Sequence, residues 1–89
     1  MFVKICYSDG HFDLGYFDKY TFCKFEDTVT NEEISKIGLQ ITKQYCESRG
    51  VDIKEEEKFL GKKWEYGYGW READADEIEE DNCIDYTKH

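Results

Sequence analysis

The sequence predicts an α+β fold: a small antiparallel sheet with one long amphipathic helix packed on one of its faces. Three observations favour this class. The first 25 residues contain β-rich runs, apolar residues recur at helical spacing between residues 30 and 50, and aromatic residues alternate near 63–71. A chain of 89 residues supports one small core, so we expect a single domain over 1–89.

The N-terminal third predicts a meander of three strands. Residues 2–8 and 11–17 form two β-rich runs separated by Asp9-Gly10, a dipeptide typical of a type I′ hairpin turn, which needs positive φ at both positions. A third run follows at residues 20–25. We therefore expect these runs to pair in chain order.

The next segment predicts the long helix. Thr30 and Glu33 have the spacing of a capping box, and Gly50 is placed to end the helix in a left-handed conformation. The apolar residues between them repeat at helical spacing: Ile34, Ile37, Ile41 and Tyr45. A single apolar stripe indicates that the helix packs on one face of the sheet.

Residues 52–60 allow two interpretations. Asp52 and Glu55 could cap a short helix that ends at Gly61, or the same residues could form an edge strand. The helix is the favoured interpretation.

The aromatic strand near 63–71 carries four rings at every second position: Trp64, Tyr66, Tyr68 and Trp70. These rings share one face of a strand. They could form a stacking platform for nucleic acid or sugar, but such platforms accompany a basic groove, so a role in the core is favoured. Gly67 and Gly69 predict either a close approach by another backbone or a flat outer face. Residues 83–86 predict a short last strand.

The acidic segment, residues 72–85, contains eight acidic residues and no basic residue. The net charge of the chain is −9, so this segment accounts for most of the imbalance. A local acidic field repels nucleic acid and anionic membranes and attracts basic proteins. We therefore expect no direct binding to nucleic acid and no membrane association.

This acidic segment predicts a protein-binding site that imitates DNA. If it were helical, its charges would lie about 2.6 Å apart, between the ~1.7 Å of duplex DNA and the ~3.4 Å of a single strand. The predicted partner-binding residues are Glu72, Asp74, Asp76, Glu77, Glu79, Glu80, Asp81 and Trp70. In size and charge alone, the chain resembles viral inhibitors of nucleic-acid-handling defences, such as anti-restriction and anti-CRISPR proteins. That resemblance implies a non-catalytic inhibitor that occupies the basic nucleic-acid-binding surface of a partner.

Other functions find less support in the sequence. A structural protein that self-associates through a sheet edge or an aromatic face is the alternative, and either a monomer or a small homo-oligomer is compatible. Calcium binding by Asp74, Asp76 and Glu77 is disfavoured because an EF-hand loop would need glycine where Glu79 stands. No cofactor motif and no metal site are predicted.

The sequence gives little support to a catalytic role for His11 and favours a cytoplasmic location. His11 could pair with Cys6 or Cys23 across a hairpin, but a surface position beside a turn is the favoured interpretation of this histidine. The N-terminus lacks a signal-peptide pattern, so we expect a cytoplasmic protein whose four cysteines are reduced and mostly buried.

Overall fold

The computed structural model describes residues 1–87 and has the α+β fold that the sequence predicts. Its regular elements are the strands β1 (Phe2–His11), β2 (Lys19–Lys24), β3 (Tyr66–Ala73) and β4 (Cys83–Asp85) and the helices α1 (Asn31–Ser48) and α2 (Ile53–Leu60). Short 3₁₀ turns occupy Phe12–Leu14, Ala75–Glu77 and Glu80–Asn82. Among the described residues, no helix combines the length and the apolar character needed to cross a membrane.

The four strands form one mixed sheet in the order β3-β1-β2-β4. β1 is antiparallel to both β2 and β3, whereas β4 is parallel to β2. The expectation of a purely antiparallel sheet is therefore wrong for the last strand, although its predicted position is confirmed. The physical reason is the connection that precedes β4, because it crosses from one edge of the sheet to the other and turns back before β4 begins.

The predicted hairpin at Asp9-Gly10 and the predicted second strand over residues 11–17 are wrong. β1 continues through Gly10 and pairs as far as His11 with Tyr66 of β3. His11 then accepts the Asp13 N–H at Nδ1 (3.2 Å) and starts the 3₁₀ turn, which ends at Gly15 with φ 73°. Pairing with a distant strand thus overrides the local turn signal. The third run is confirmed as β2.

Both helices begin and end where the sequence predicts. Thr30 Oγ1 accepts the Glu33 N–H (3.2 Å) at the start of α1, and Gly50 follows its end with φ 75°. Asp52 Oδ1 accepts the Glu55 N–H (3.2 Å) at the start of α2. Gly61 ends α2 with φ 71°, so the helix, and not the edge strand, is correct.

The core lies between α1 and one face of the sheet, which we call the helix face. Its buried residues are Val3, Ile5, Tyr7, Cys23, Phe25, Ile34 and Ile41. Tyr68 and Trp70 of the aromatic strand pack against this cluster, and Trp64 is buried. The core role that the sequence favours for the aromatic strand is confirmed for Tyr68 and Trp70. Trp64 is buried outside this cluster and precedes β3, and Tyr66 is half-buried.

The glycines of β3 face away from α1. A Cβ at Gly67 would lie 2.9 Å from Ser8 Oγ and 3.4 Å from the Gly10 carbonyl oxygen, so this glycine permits a close approach by the chain around β1. At Gly69 a Cβ would meet the Phe17 ring at 3.5 Å. The outer side of the aromatic strand is therefore partly covered and is not a flat free surface.

Candidate functional site

The candidate site lies on the open face of the sheet, opposite α1. Strand pairing places the side chains of Lys4, Cys6, Tyr20, Phe22 and Arg71 on this face, because residues paired across antiparallel strands share a face. The β3–β4 connection, residues 74–82, joins the two outer strands and contacts this face. We call these residues the crossover segment.

The first attachment of the crossover segment is an ion pair between Arg71 and Glu77. Arg71 Nη1 donates to Glu77 Oε1 (2.8 Å) and Nη2 donates to Oε2 (3.1 Å). The Asp74 N–H also donates to Glu77 Oε1 (2.9 Å). The hydrogen bonds from Arg71, and next the one from the Asp74 backbone, lower the pKa of Glu77 from 4.5 to about 2. Glu77 is therefore ionised and tied to the strand from which the segment departs.

The second attachment is made by Tyr20 on β2. Its hydroxyl donates to Glu79 Oε2 (2.6 Å), and this hydrogen bond raises the pKa of Tyr20. Asn82 Nδ2 donates to the Tyr20 carbonyl oxygen (3.0 Å). Lys4 Nζ lies 4.5 Å from the centroid of the Tyr20 ring, a cation–π contact. The crossover segment is thus held near its middle by the side chains of Arg71 and Tyr20 and at its end by the Tyr20 carbonyl oxygen.

These attachments leave most of the predicted acidic residues on the surface. Glu77 is half-buried, whereas the other predicted acidic residues are exposed: Glu72, Asp74, Asp76, Glu79, Glu80 and Asp81. The segment forms two short 3₁₀ turns and not a continuous helix, so the charge spacing expected for a helix does not apply to it. The segment crosses three strand spacings, about 14 Å at ~4.8 Å each.

Trp70 is the predicted site residue that the structure does not bring to this surface. It pairs with the core residue Ile5, packs against the core cluster and donates from Nε1 to Ser35 Oγ of α1 (3.3 Å). Its indole therefore lies on the helix face, on the opposite side of the sheet from the crossover segment.

Sequence reasoning missed three residues that position the acidic groups, namely Lys4, Tyr20 and Arg71. The sequence contains only weak indications of their role. Arg71 directly precedes the acidic run, and Lys4 and Tyr20 alternate with core residues along their strands. Only the long-range register shows that these three side chains share a face with the crossover segment.

The residues considered for metal binding do not form a metal centre. Among residues 1–87, no group of three or more histidine, cysteine or carboxylate side chains is placed to hold a metal ion. Both carboxylate oxygens of Glu77 already accept hydrogen bonds from Arg71.

His11 is buried, so the expected surface position is wrong. Because Nδ1 accepts the Asp13 N–H, the ring proton is on Nε2, which donates to the Lys63 carbonyl oxygen (3.2 Å). Its ring packs edge-on against Trp64, with centroids 5.4 Å apart. These contacts give His11 a structural role at the start of the loop after β1.

The cysteines are thiols, and two of them, Cys23 and Cys46, are buried. Burial raises the pKa of Cys23 to about 12 and also raises that of Cys46. Cys6 and Cys83 are half-buried, so the expectation of buried thiols holds fully for only two of the four.

Comparisons with known proteins add no relative: no protein family, no curated protein and no solved structure matches this chain.

Proposed function

We propose that this chain is a non-catalytic binding protein whose acidic crossover segment occupies the basic nucleic-acid-binding surface of a partner protein in the cytoplasm. The observation that carries the proposal is the double attachment of that segment, through Arg71 to Glu77 and through Tyr20 to Glu79. A charge run that merely solvates a tail needs no such contacts. A binding surface gains from them, because groups that are ordered beforehand lose less conformational entropy on binding.

The charge spacing supports the same proposal. Six acidic residues lie between Asp74 and Asp81, so crossing about 14 Å places one charge every ~2.4 Å, or every ~2.8 Å when Glu77 is set aside as paired. Both values fall between the spacings of duplex and single-stranded DNA, ~1.7 and ~3.4 Å. Charges at this density favour a partner that binds nucleic acid by its phosphates.

The test combines capture of a partner with competition. The tagged chain is incubated with nuclease-treated cell lysate at low and high salt, and the captured proteins are identified. Each is then bound to fluorescently labelled DNA or RNA, and the chain is added while anisotropy is followed. We expect a basic protein that is released at high salt and a loss of anisotropy as the chain displaces the nucleic acid.

A matched pair of variants makes this test specific. Asp76→Lys, Glu80→Lys and Asp81→Lys together reverse three charges of the crossover segment. The control triple, Glu26→Lys, Glu47→Lys and Glu65→Lys, reverses three exposed acidic residues elsewhere and changes the net charge equally. We expect the first triple to lose displacement and the control to retain most of it. Equal losses in both triples would contradict a defined acidic site.

Self-association is the second candidate function. The packing of the aromatic strand indicates that it would occur at a different surface. Tyr68 and Trp70 pack against the core on the helix face, and Trp64 is only 7% exposed, so the aromatic strand does not offer a row of free rings. Instead, several large apolar side chains are exposed in the loop after β1 and on α2. That surface is separate from the crossover segment and supports a more specific inference.

A further inference from the structure

An apolar groove lies between the loop after β1 and α2. It has a volume of about 360 Å³, and its apolar lining residues are Leu14, Tyr16, Val51, Phe59, Leu60 and Trp64. Phe59 is 87% exposed, and Leu14 and Tyr16 are 53% and 58% exposed. Large apolar side chains grouped in this way on a monomer commonly mark an interaction site.

The loop that forms one wall of this groove is held in a single shape. The Phe12 N–H donates to the Glu65 carbonyl oxygen (2.9 Å) and the Asp18 N–H donates to the Tyr7 carbonyl oxygen (3.2 Å), so both ends of the loop are fixed to the sheet. His11 caps the 3₁₀ turn between them. Rigid display of exposed apolar residues is the property expected of an interface hot spot.

The opposite wall, α2, lacks the cover that so short a helix needs. It has eight residues, and none of them is buried by the described part of the chain. Helices of this length are marginal in water unless packing stabilises them. Glu57 Oε2 accepts the Trp64 N–H (2.9 Å), but Phe59 at the groove remains 87% exposed.

We propose that a second copy of this chain binds at the groove and forms a two-fold symmetric dimer. A two-fold interface uses the same surface on both partners, so that surface must be self-complementary. Here an exposed ring, Phe59, forms part of the wall of a groove of about 360 Å³. Each Phe59 would enter the groove of the other copy.

The area of the surface agrees with a dimer. At about 200 Å² for a fully exposed large side chain, Leu14, Tyr16 and Phe59 together expose roughly 400 Å² per copy. Homodimer interfaces are about 65% apolar, so two such surfaces imply about 1,200 Å² buried in total. That total reaches the lower end of the range for specific interfaces.

The charges around the groove also suit a second copy. Three acidic residues near the groove are paired: Asp9 with Arg49 (3.3 Å), Asp13 with Lys62, and Glu55 with Lys58 (3.8 Å). Glu56, which lines the groove, makes no ion pair with the described residues, 1–87. Two chains with a net charge of −9 repel each other, and this repulsion is weakest where acidic and basic groups are balanced. A basic partner would find a better surface at the crossover segment.

Sedimentation velocity across a concentration series tests the dimer, with Phe59→Glu as the test variant and Ile84→Glu as its control. Both residues are large, apolar and exposed, but Ile84 lies on β4 and away from the groove. We expect the intact chain to dimerise and Phe59→Glu to raise the dissociation constant at least ~30-fold, as for a hot-spot residue, while Ile84→Glu has little effect. Circular dichroism checks that both variants fold.

The salt dependence separates this proposal from the proposed function. The dimer should tighten as salt increases, because salt screens repulsion between the acidic copies, whereas binding of a basic partner should weaken. A monomer at every concentration and salt would overturn the dimer, as would equal effects of the two variants. Neither result would affect the competition test of the crossover segment.

Discussion

The two exposed surfaces of this protein are ordered by different forces. The crossover segment is held to the sheet by charged side chains, chiefly the pair of Arg71 and Glu77. The loop after β1 is held by backbone hydrogen bonds and by the buried ring of His11. The Arg71–Glu77 ion pair depends on salt and pH, whereas the backbone hydrogen bonds of the loop do not involve charged groups. The two surfaces therefore differ in how directly their order depends on charge.

This difference predicts that the two surfaces can be weakened separately. The largest effect should come from the loop after β1, because the His11 ring that holds it is buried. Smaller effects should come from the exposed ion pair, because exposed ion pairs contribute little to global stability.

His11→Ala should damage the loop and leave the crossover segment intact. The substitution removes the acceptor of the Asp13 N–H, the donor to Lys63 and the ring packed on Trp64. Leaving buried polar groups without partners costs about 1–3 kcal/mol of unfolding free energy. Urea denaturation measures this loss, and we also expect weaker self-association.

His11→Asn is the matched variant for this prediction. Asparagine is a good helix cap and can accept the Asp13 N–H, so part of the lost stability should return. If His11→Asn is as unstable as His11→Ala, the cap is not what orders the loop. If partner displacement falls in His11→Ala as much as self-association does, the two surfaces are not independent.

The contrast between local and long-range contacts also explains what the sequence could predict. Both helices are correct because their signals lie inside the segments themselves, such as Thr30 with Glu33 and Asp52 with Glu55. The hairpin at Asp9-Gly10 is wrong because the decisive partner, Tyr66, is 55 residues from His11 in the sequence. No local pattern reports such a pairing.

The candidate site follows the same rule. The acidic residues of the crossover segment are evident in the sequence as a charge run. Their attachments are not, because Tyr20 and Glu79 are 59 residues apart and meet only through the parallel pairing of β4 with β2. The position of Trp70 on the helix face likewise depends on its register with Ile5.

Arg71→Ala tests whether partner affinity depends on the ordered arrangement of the crossover segment or on its charge alone. The variant makes the chain more acidic and removes the partner of Glu77. If only charge mattered, a basic partner would bind more tightly. We expect several-fold weaker binding, because the acidic groups would have to be ordered during association. Fluorescence anisotropy competition measures the change, and tighter binding would contradict an ordered site.

Hydrogen exchange supplies an independent measurement for the same variant. The Asp74 N–H donates to the Glu77 carboxylate, which Arg71 positions. Exchange at Asp74 should be several-fold faster in Arg71→Ala, while exchange in β1 stays unchanged because the ion pair is exposed. Faster exchange throughout the sheet would mean that Arg71 supports the whole fold.

The smallest predicted effect is the loss of stability at acidic pH when Glu77 becomes protonated. The pKa of Glu77 in the folded chain is about 2, below its ordinary value of 4.5, because Arg71 and the Asp74 backbone donate hydrogen bonds to its ionised form. A lowered pKa means that the contribution of Glu77 to stability is fully present above pH 4.5 and is lost as the pH falls toward 2. Thermal unfolding of the intact chain and of Arg71→Ala should therefore differ slightly above that window and converge below it. A constant difference between the two chains from neutral pH to pH 2 would show that Arg71 acts through something other than the Glu77 carboxylate.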